Sequence, residues 1–155
     1  MEYHNINILS RVIPAKFCIL LLIILLCVQV ILDREDHIYS GISESHSKSS
    51  SKYKSQERQL LAATSLMIAF ACWEILFMML GITVHFMLQN LFQVIVHCTA
   101  IIYLFWSIFA EWSVGYYWGI VWVFGFIPWF IDLTLFYWGV FRFRPRGIKK
   151  LQNVS

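Results

Sequence analysis

Charged residues are scarce in this sequence. They make up 14% of its 155 residues, against 59% hydrophobic residues, whereas a typical soluble domain has about 25% charged residues. So few charges cannot cover a globular surface that faces water. The net charge of +3 also lacks the concentrated basic face that nucleic-acid binding requires. The composition therefore excludes a soluble domain and a nucleic-acid-binding protein, and it favours a membrane domain.

Motifs that carry chemistry are missing as well. The sequence has no CxxC pair, no His/Cys cluster at metal-ligand spacing, and no HxxxH, HExxH or GxSxG motif. Its four cysteines, Cys18, Cys27, Cys72 and Cys98, all lie inside apolar runs. We therefore predict no catalytic residue, no metal, no cofactor and no small-molecule substrate, and we expect that the protein is not an enzyme.

Long apolar runs dominate what the sequence does contain. A transmembrane helix requires about 20 apolar residues, and four runs reach this length, at about 12–32, 60–80, 88–110 and 114–141. We predict an all-α membrane protein, with one four-helix transmembrane domain over 1–155 arranged as an antiparallel bundle. Because the connections after the second and third runs are short, we expect the last three helices to be successive neighbours.

The segment between the first two runs has a different composition. Residues 33–58 are rich in serine, carry scattered charges and contain little that could be buried. Such a composition is typical of a flexible loop, and we predict one here.

The placement of lysine and arginine indicates the orientation of the bundle. An even number of spans puts both termini on one side, where Arg11, Lys16 and a basic tail over 142–155 lie. The cations of the tail are Arg142, Arg144, Arg146, Lys149 and Lys150. Because cytoplasmic segments carry the excess of lysine and arginine, we predict that both termini are cytoplasmic. The tail is a topology determinant in this interpretation, and binding of anionic lipid is the alternative.

Polar side chains of three spans are predicted to lie at one depth in the membrane. Glu74 interrupts the apolar run of the second helix, and Asp132 interrupts that of the fourth. At a rise of about 1.5 Å per residue, both carboxylates lie roughly 6–8 Å to the cytoplasmic side of the midplane, level with Gln93 of the third helix. Gln93 shares a helix face with Gln89 and His97, because these residues are four apart.

Two interpretations of this polar seam, which comprises Glu74, Gln93, His97 and Asp132, remain open. In the first, the side chains are structural and hold the helices together through interhelical hydrogen bonds. In the second, Glu74, His97 and Asp132 form a proton or ion relay in a small carrier. We favour the structural interpretation, because four helices leave little room for a substrate cavity. We also expect no lysine or arginine within the membrane to pair with the carboxylates.

A series of short motifs occurs in one order across the last three helices. It comprises Trp73-Glu74, His97-Cys98, Glu111-Trp112, Tyr117-Trp118, Pro128 and Asp132. Together with the LxAAxS-like stretch over 60–65 and the basic tail, this series resembles the transmembrane protein 107 family. Members of that family are four-span proteins of the ciliary transition zone.

The resemblance implies a non-enzymatic scaffold that helps to recruit transition-zone components, gates the composition of the ciliary membrane and supports cilium assembly. It implies as partners the lipid bilayer and the membrane and soluble proteins of the Meckel-type complex. It also implies a location in the cilium membrane at the transition zone. The Ser-rich loop and Asp132, where glutamate is usual in the family, depart from the family pattern.

Overall fold

The fold of this chain is built from helices, in a computed structural model that describes residues 2–40, 50–81 and 87–142, with side chains from 11 to 138. These described residues form no strand. The elements are α1 (Glu2–Leu32), α2 (Arg34–Tyr39), α3 (Ser51–Met79), α4 (Met87–Phe109), α5 (Val114–Ile120), a π-helical segment (Val121–Phe126) and α6 (Ile127–Arg142).

Four helical stretches are long and apolar enough to cross a membrane. They are Arg11–Leu32, Ser51–Met79, Met87–Phe109 and Val114–Trp138. The fourth span combines α5, the π-helical segment and most of α6. Large apolar side chains such as Leu25, Ile95 and Trp122 are exposed on the outside of the bundle, as expected of a surface that faces lipid. The predicted all-α fold with four spans is therefore confirmed.

The first span lies between the second and the third. α1 packs extensively against both α3 and α4, while the fourth span packs mainly against α3. The expectation that the second and third spans are close neighbours is therefore wrong, because α3 and α4 lie diagonally across the bundle. The buried residues of α1 explain its position. Lys16, Leu20, Ile23, Cys27 and Val30 alternate at four- and three-residue spacing, which is the pattern of close helix packing.

The flexible loop predicted over 33–58 is wrong at both of its ends. Arg34–Tyr39 form α2, and α3 begins at Ser51 instead of near residue 60. Ser50 caps α3, because its hydroxyl accepts a hydrogen bond from Tyr53 N at 3.2 Å and so satisfies one of the free donors at the helix start. The remainder of the predicted loop, residues 41–49, lies outside the described residues.

Packing between three side chains explains why both ends of the segment 33–58 are helical. Ile38 is fully buried, Tyr53 is 5% exposed, and the rings of Tyr39 and Tyr53 lie 5.6 Å apart. α2 therefore packs on the first turn of α3. The overall serine-rich composition of residues 33–58 does not reveal this packing, because only a few residues take part in it. The other predicted bounds agree to within one or two residues, except that α1 begins at Glu2 and so extends beyond the predicted start at residue 12.

The fourth span changes its helical geometry directly before Pro128. Proline has no backbone N–H, and its ring clashes with the carbonyl four residues earlier. The wider π-helical turn over Val121–Phe126 is one of the adjustments that membrane helices make to such freed backbone groups. The π-helical segment is therefore explained by the proline that follows it.

Gly125 allows the π-helical segment to approach α3. A Cβ atom at this position would lie 2.8 Å from Phe70 Cδ2 and 3.0 Å from Met67 Sδ. We expect Gly125→Ala to lower the free energy of unfolding by about 1–3 kcal/mol through overpacking, as measured by denaturant unfolding in bicelles. Gly119→Ala is the matched control, because a Cβ there meets nothing within 4 Å. A Gly125→Ala protein as stable as the control would contradict the packing argument.

Candidate functional site

A lysine is buried inside the bundle, within the first span. Lys16 lies five residues beyond the start of the span Arg11–Leu32, and its side chain is only 1% exposed. Its Nζ donates a hydrogen bond to Gln93 Oε1 at 2.5 Å and lies 3.5 Å from Glu74 Oε2. The expectation that no lysine within the membrane pairs with the carboxylates is therefore wrong.

Gln93 connects the first span to the fourth. While its Oε1 accepts from Lys16, its Nε2 donates to Asp132 Oδ1 at 2.8 Å and to the Pro128 carbonyl at 3.3 Å. Gln89, one turn earlier on α4, donates through Nε2 to the same oxygen of Asp132. The fully buried carboxylate of Asp132 therefore receives two amide donors from one face of α4.

His97 connects α4 to α3. Its Nδ1 lies 2.6 Å from the Gln93 carbonyl oxygen, and because a carbonyl oxygen only accepts, Nδ1 is assigned the proton and donates. On the other side of the ring, Nε2 lies 3.2 Å from Glu74 Oε1. This contact crosses the diagonal of the bundle, where α3 and α4 make little or no backbone contact.

The Glu74–His97 contact has no room for water beside it. The space beside Glu74 and His97 measures about 170 Å³ in total, and no part of it accommodates a water molecule. Its other walls are mostly apolar, and they include Ile23 of α1 and Phe124 of the π-helical segment. A charged group in such surroundings is stable only when protein groups replace its water. Here the side chains of the cluster replace that water for one another.

The structure thus brings the four residues of the predicted polar seam into one hydrogen-bonded unit and adds Lys16 and Gln89 to it. We call these six residues the polar cluster. The sequence contains a signal for Lys16, because the first apolar run reaches membrane-spanning length only when Val12 and Ile13 are counted, which places Lys16 inside the span. Of the predicted basic tail, Arg142 ends α6, and the other four cations lie outside the described residues.

A second buried contact holds α2 at the opposite end of the bundle. His37 is 1% exposed, and its ring lies edge-on to Tyr117 of α5 with the centroids 5.4 Å apart. The Tyr117 hydroxyl lies 3.2 Å from His37 Nδ1. α2 is therefore anchored to the fourth span through a titratable side chain.

Acidification should weaken this anchor. Burial lowers the pKa of His37 from its usual value, and the nearby carboxylates of Asp33, Asp36 and Glu111 offset the effect only in part. Just below pH 6.5, the pKa of an unperturbed histidine, the folded protein therefore binds fewer protons than the unfolded chain. Stability is then lost as the pH falls, by at most about 1.4 kcal/mol per pH unit.

Unfolding of the purified protein at pH 7.5 and 5.5 measures this loss. His37→Gln removes the titrating group, and we expect it to reduce the difference between the two pH values. An unchanged difference in the variant would assign the pH dependence to other groups.

The polar cluster lies within one continuous stretch of family similarity. Residues 12–136 match the model of TMEM107, which is described as a transmembrane protein. The chain belongs to the TMEM107 family. The resemblance found in the sequence is thus confirmed, and the matched range includes all six residues of the polar cluster but not the basic tail. No curated protein and no solved structure matches the chain.

Proposed function

We propose that this multi-pass membrane protein is a non-enzymatic scaffold of the ciliary transition zone. In this role it helps to recruit membrane and soluble proteins of the Meckel-type complex, gates the composition of the ciliary membrane and supports cilium assembly. The observation that carries the proposal is the TMEM107 family match over residues 12–136. Both termini face the cytoplasm in the proposed orientation.

The architecture of the polar cluster supports a structural role for it. Its six side chains come from all four spans and bond to one another, and the space beside Glu74 and His97 has no room for water. A scaffold requires helices that keep a fixed arrangement, and buried polar contacts between membrane helices give each helix a preferred rotation. A carrier would require a path for its ion to reach Glu74, His97 and Asp132.

Localisation in ciliated cells tests the proposed function. Tagged protein expressed at the native level should concentrate at the base of the cilium, between the basal body and the axoneme. Depletion should reduce the amount of other transition-zone proteins there, and re-expression of the wild-type chain should restore it. Signal along the whole axoneme, or confined to the endoplasmic reticulum, would contradict the proposal.

Liposome reconstitution tests the carrier interpretation. In the scaffold proposal, folded wild-type protein and the Glu74→Gln variant pass protons and monovalent cations at the same background rate. Flux through the wild-type protein that disappears in Glu74→Gln would favour a carrier and would overturn the structural assignment of the polar cluster.

A further inference from the structure

Two acceptor atoms face each other where Glu74 meets His97. His97 Nδ1 donates to the Gln93 carbonyl, so in a neutral ring Nε2 carries no proton. A bare Nε2 and an ionised carboxylate would then lie 3.2 Å apart with no donor between them. Both side chains are at most 2% exposed, so water does not separate them. The contact requires one proton between the two residues.

We propose that Glu74 and His97 bind one proton between them, and that Asp132, not Glu74, balances the charge of Lys16. The Glu74–His97 pair is then neutral in total, whether the proton is on the carboxyl group or on Nε2. Lys16 contributes +1 and Asp132 contributes −1, so the polar cluster as a whole is neutral. Without the shared proton its charge is −1, and a net charge at this depth is strongly unfavourable.

The hydrogen bonds of Asp132 favour its ionised form. Oδ1 accepts from the amides of both Gln89 and Gln93, and donors to a carboxylate stabilise the charge. Oδ2 is buried without a hydrogen-bond partner, so the two amide donors stabilise the charge at Oδ1. The proton of the polar cluster therefore belongs to the Glu74–His97 contact.

The Gln93 amide joins the two opposite charges. Its oxygen faces the Lys16 ammonium at 2.5 Å, and its NH₂ group faces the Asp132 carboxylate at 2.8 Å. The amide dipole is thus aligned favourably with both charges at once. Lys16 and Asp132 act as an ion pair through this amide, although Glu74 is the carboxylate that lies beside Lys16.

Charge-matched double variants of the purified full chain test the assignment. Lys16→Met leaves a charge of −1, and we expect the ratio of folded to unfolded protein in bicelles to fall by about a hundredfold or more, as for other buried charges deprived of a partner. Adding Asp132→Asn restores neutrality and should recover most of that loss. Adding Glu74→Gln leaves the charge at −1 and should recover little. Rescue by Glu74→Gln and not by Asp132→Asn would overturn the proposal.

Spectroscopy of the wild-type protein keeps the proposal testable if neither double variant folds. ¹⁵N NMR reports the protonation of both ring nitrogens of His97, and infrared spectra report a protonated carboxyl group that Glu74→Gln removes. We expect either an imidazolium or a neutral Nδ1–H ring together with a protonated Glu74. A neutral ring beside an ionised Glu74 would refute the shared proton. Both measurements use purified protein in lipid, so they do not depend on where the protein works in the cell.

Discussion

Gln93→Leu should destabilise the bundle more than any of the other substitutions that replace an uncharged residue. The change leaves the Lys16 ammonium and the Asp132 carboxylate without the amide that joins them. The Pro128 carbonyl also loses the hydrogen bond that it accepts from the Gln93 side chain. Separating a buried ion from its partner costs about 3–5 kcal/mol. We therefore expect a loss of that size in the free energy of unfolding, measured by denaturant titration in bicelles.

Gln29→Leu is the matched control for this substitution. Gln29 also lies in a membrane span, but its side chain is exposed and donates to Asp33, the residue that directly follows α1. We expect its effect to stay within about 1 kcal/mol, the net value of one such hydrogen bond. If Gln93→Leu and Gln29→Leu were equally stable, Gln93 would not connect the spans in the way that the hydrogen bonds indicate.

Glu74→Leu should lower both stability and the amount of protein that reaches its destination. His97 Nε2 loses the group that shares a proton with it, and a buried acceptor without a donor costs about 1–3 kcal/mol. Loss of the contact with Lys16 at 3.5 Å adds to this. In ciliated cells we expect less Glu74→Leu protein at the base of the cilium and more in the endoplasmic reticulum, as measured by quantitative imaging.

Glu74→Gln separates shape and hydrogen bonding from charge at the same position. The glutamine amide can donate to His97 Nε2, and it leaves the polar cluster neutral, so we expect this variant to remain close to the wild type. Full assembly and normal localisation of Glu74→Leu would show that the diagonal contact between α3 and α4 is dispensable. Equal failure of the two variants would show that the carboxyl group has a role that an amide does not replace.

The sequence predicts the number of spans well because membrane-spanning length is a local property. The four apolar runs near 12–32, 60–80, 88–110 and 114–141 correspond to the four spanning helices. Which spans are neighbours is not a local property, because it depends on which faces of all four helices fit together. The short connection between α3 and α4 suggests adjacent helices, and the buried face of α1 outweighs that suggestion.

The polar cluster was partly predictable for the same reason. Depth along a helix follows from counting residues, and the count places Glu74, Gln93 and Asp132 at one level. Charge placement alone predicts Lys16 at the membrane boundary, because basic residues at the start of a span usually set topology. What distinguishes a boundary lysine from a buried one is a partner, and the partner of Lys16 is 77 residues away in the chain.

The separation between Lys16 and its partners has a consequence for synthesis. α1 leaves the ribosome and enters the membrane before Gln93 exists, and Asp132 arrives only with the last span. Until then the lysine, about 7–8 Å inside the span at 1.5 Å per residue, has to extend toward the interface. Chains truncated before residue 114 should therefore crosslink longer to the insertion machinery than full-length chains do, and Lys16→Leu should shorten that stay. Synthesis of the fourth span is therefore the step that allows the first span to leave the insertion machinery.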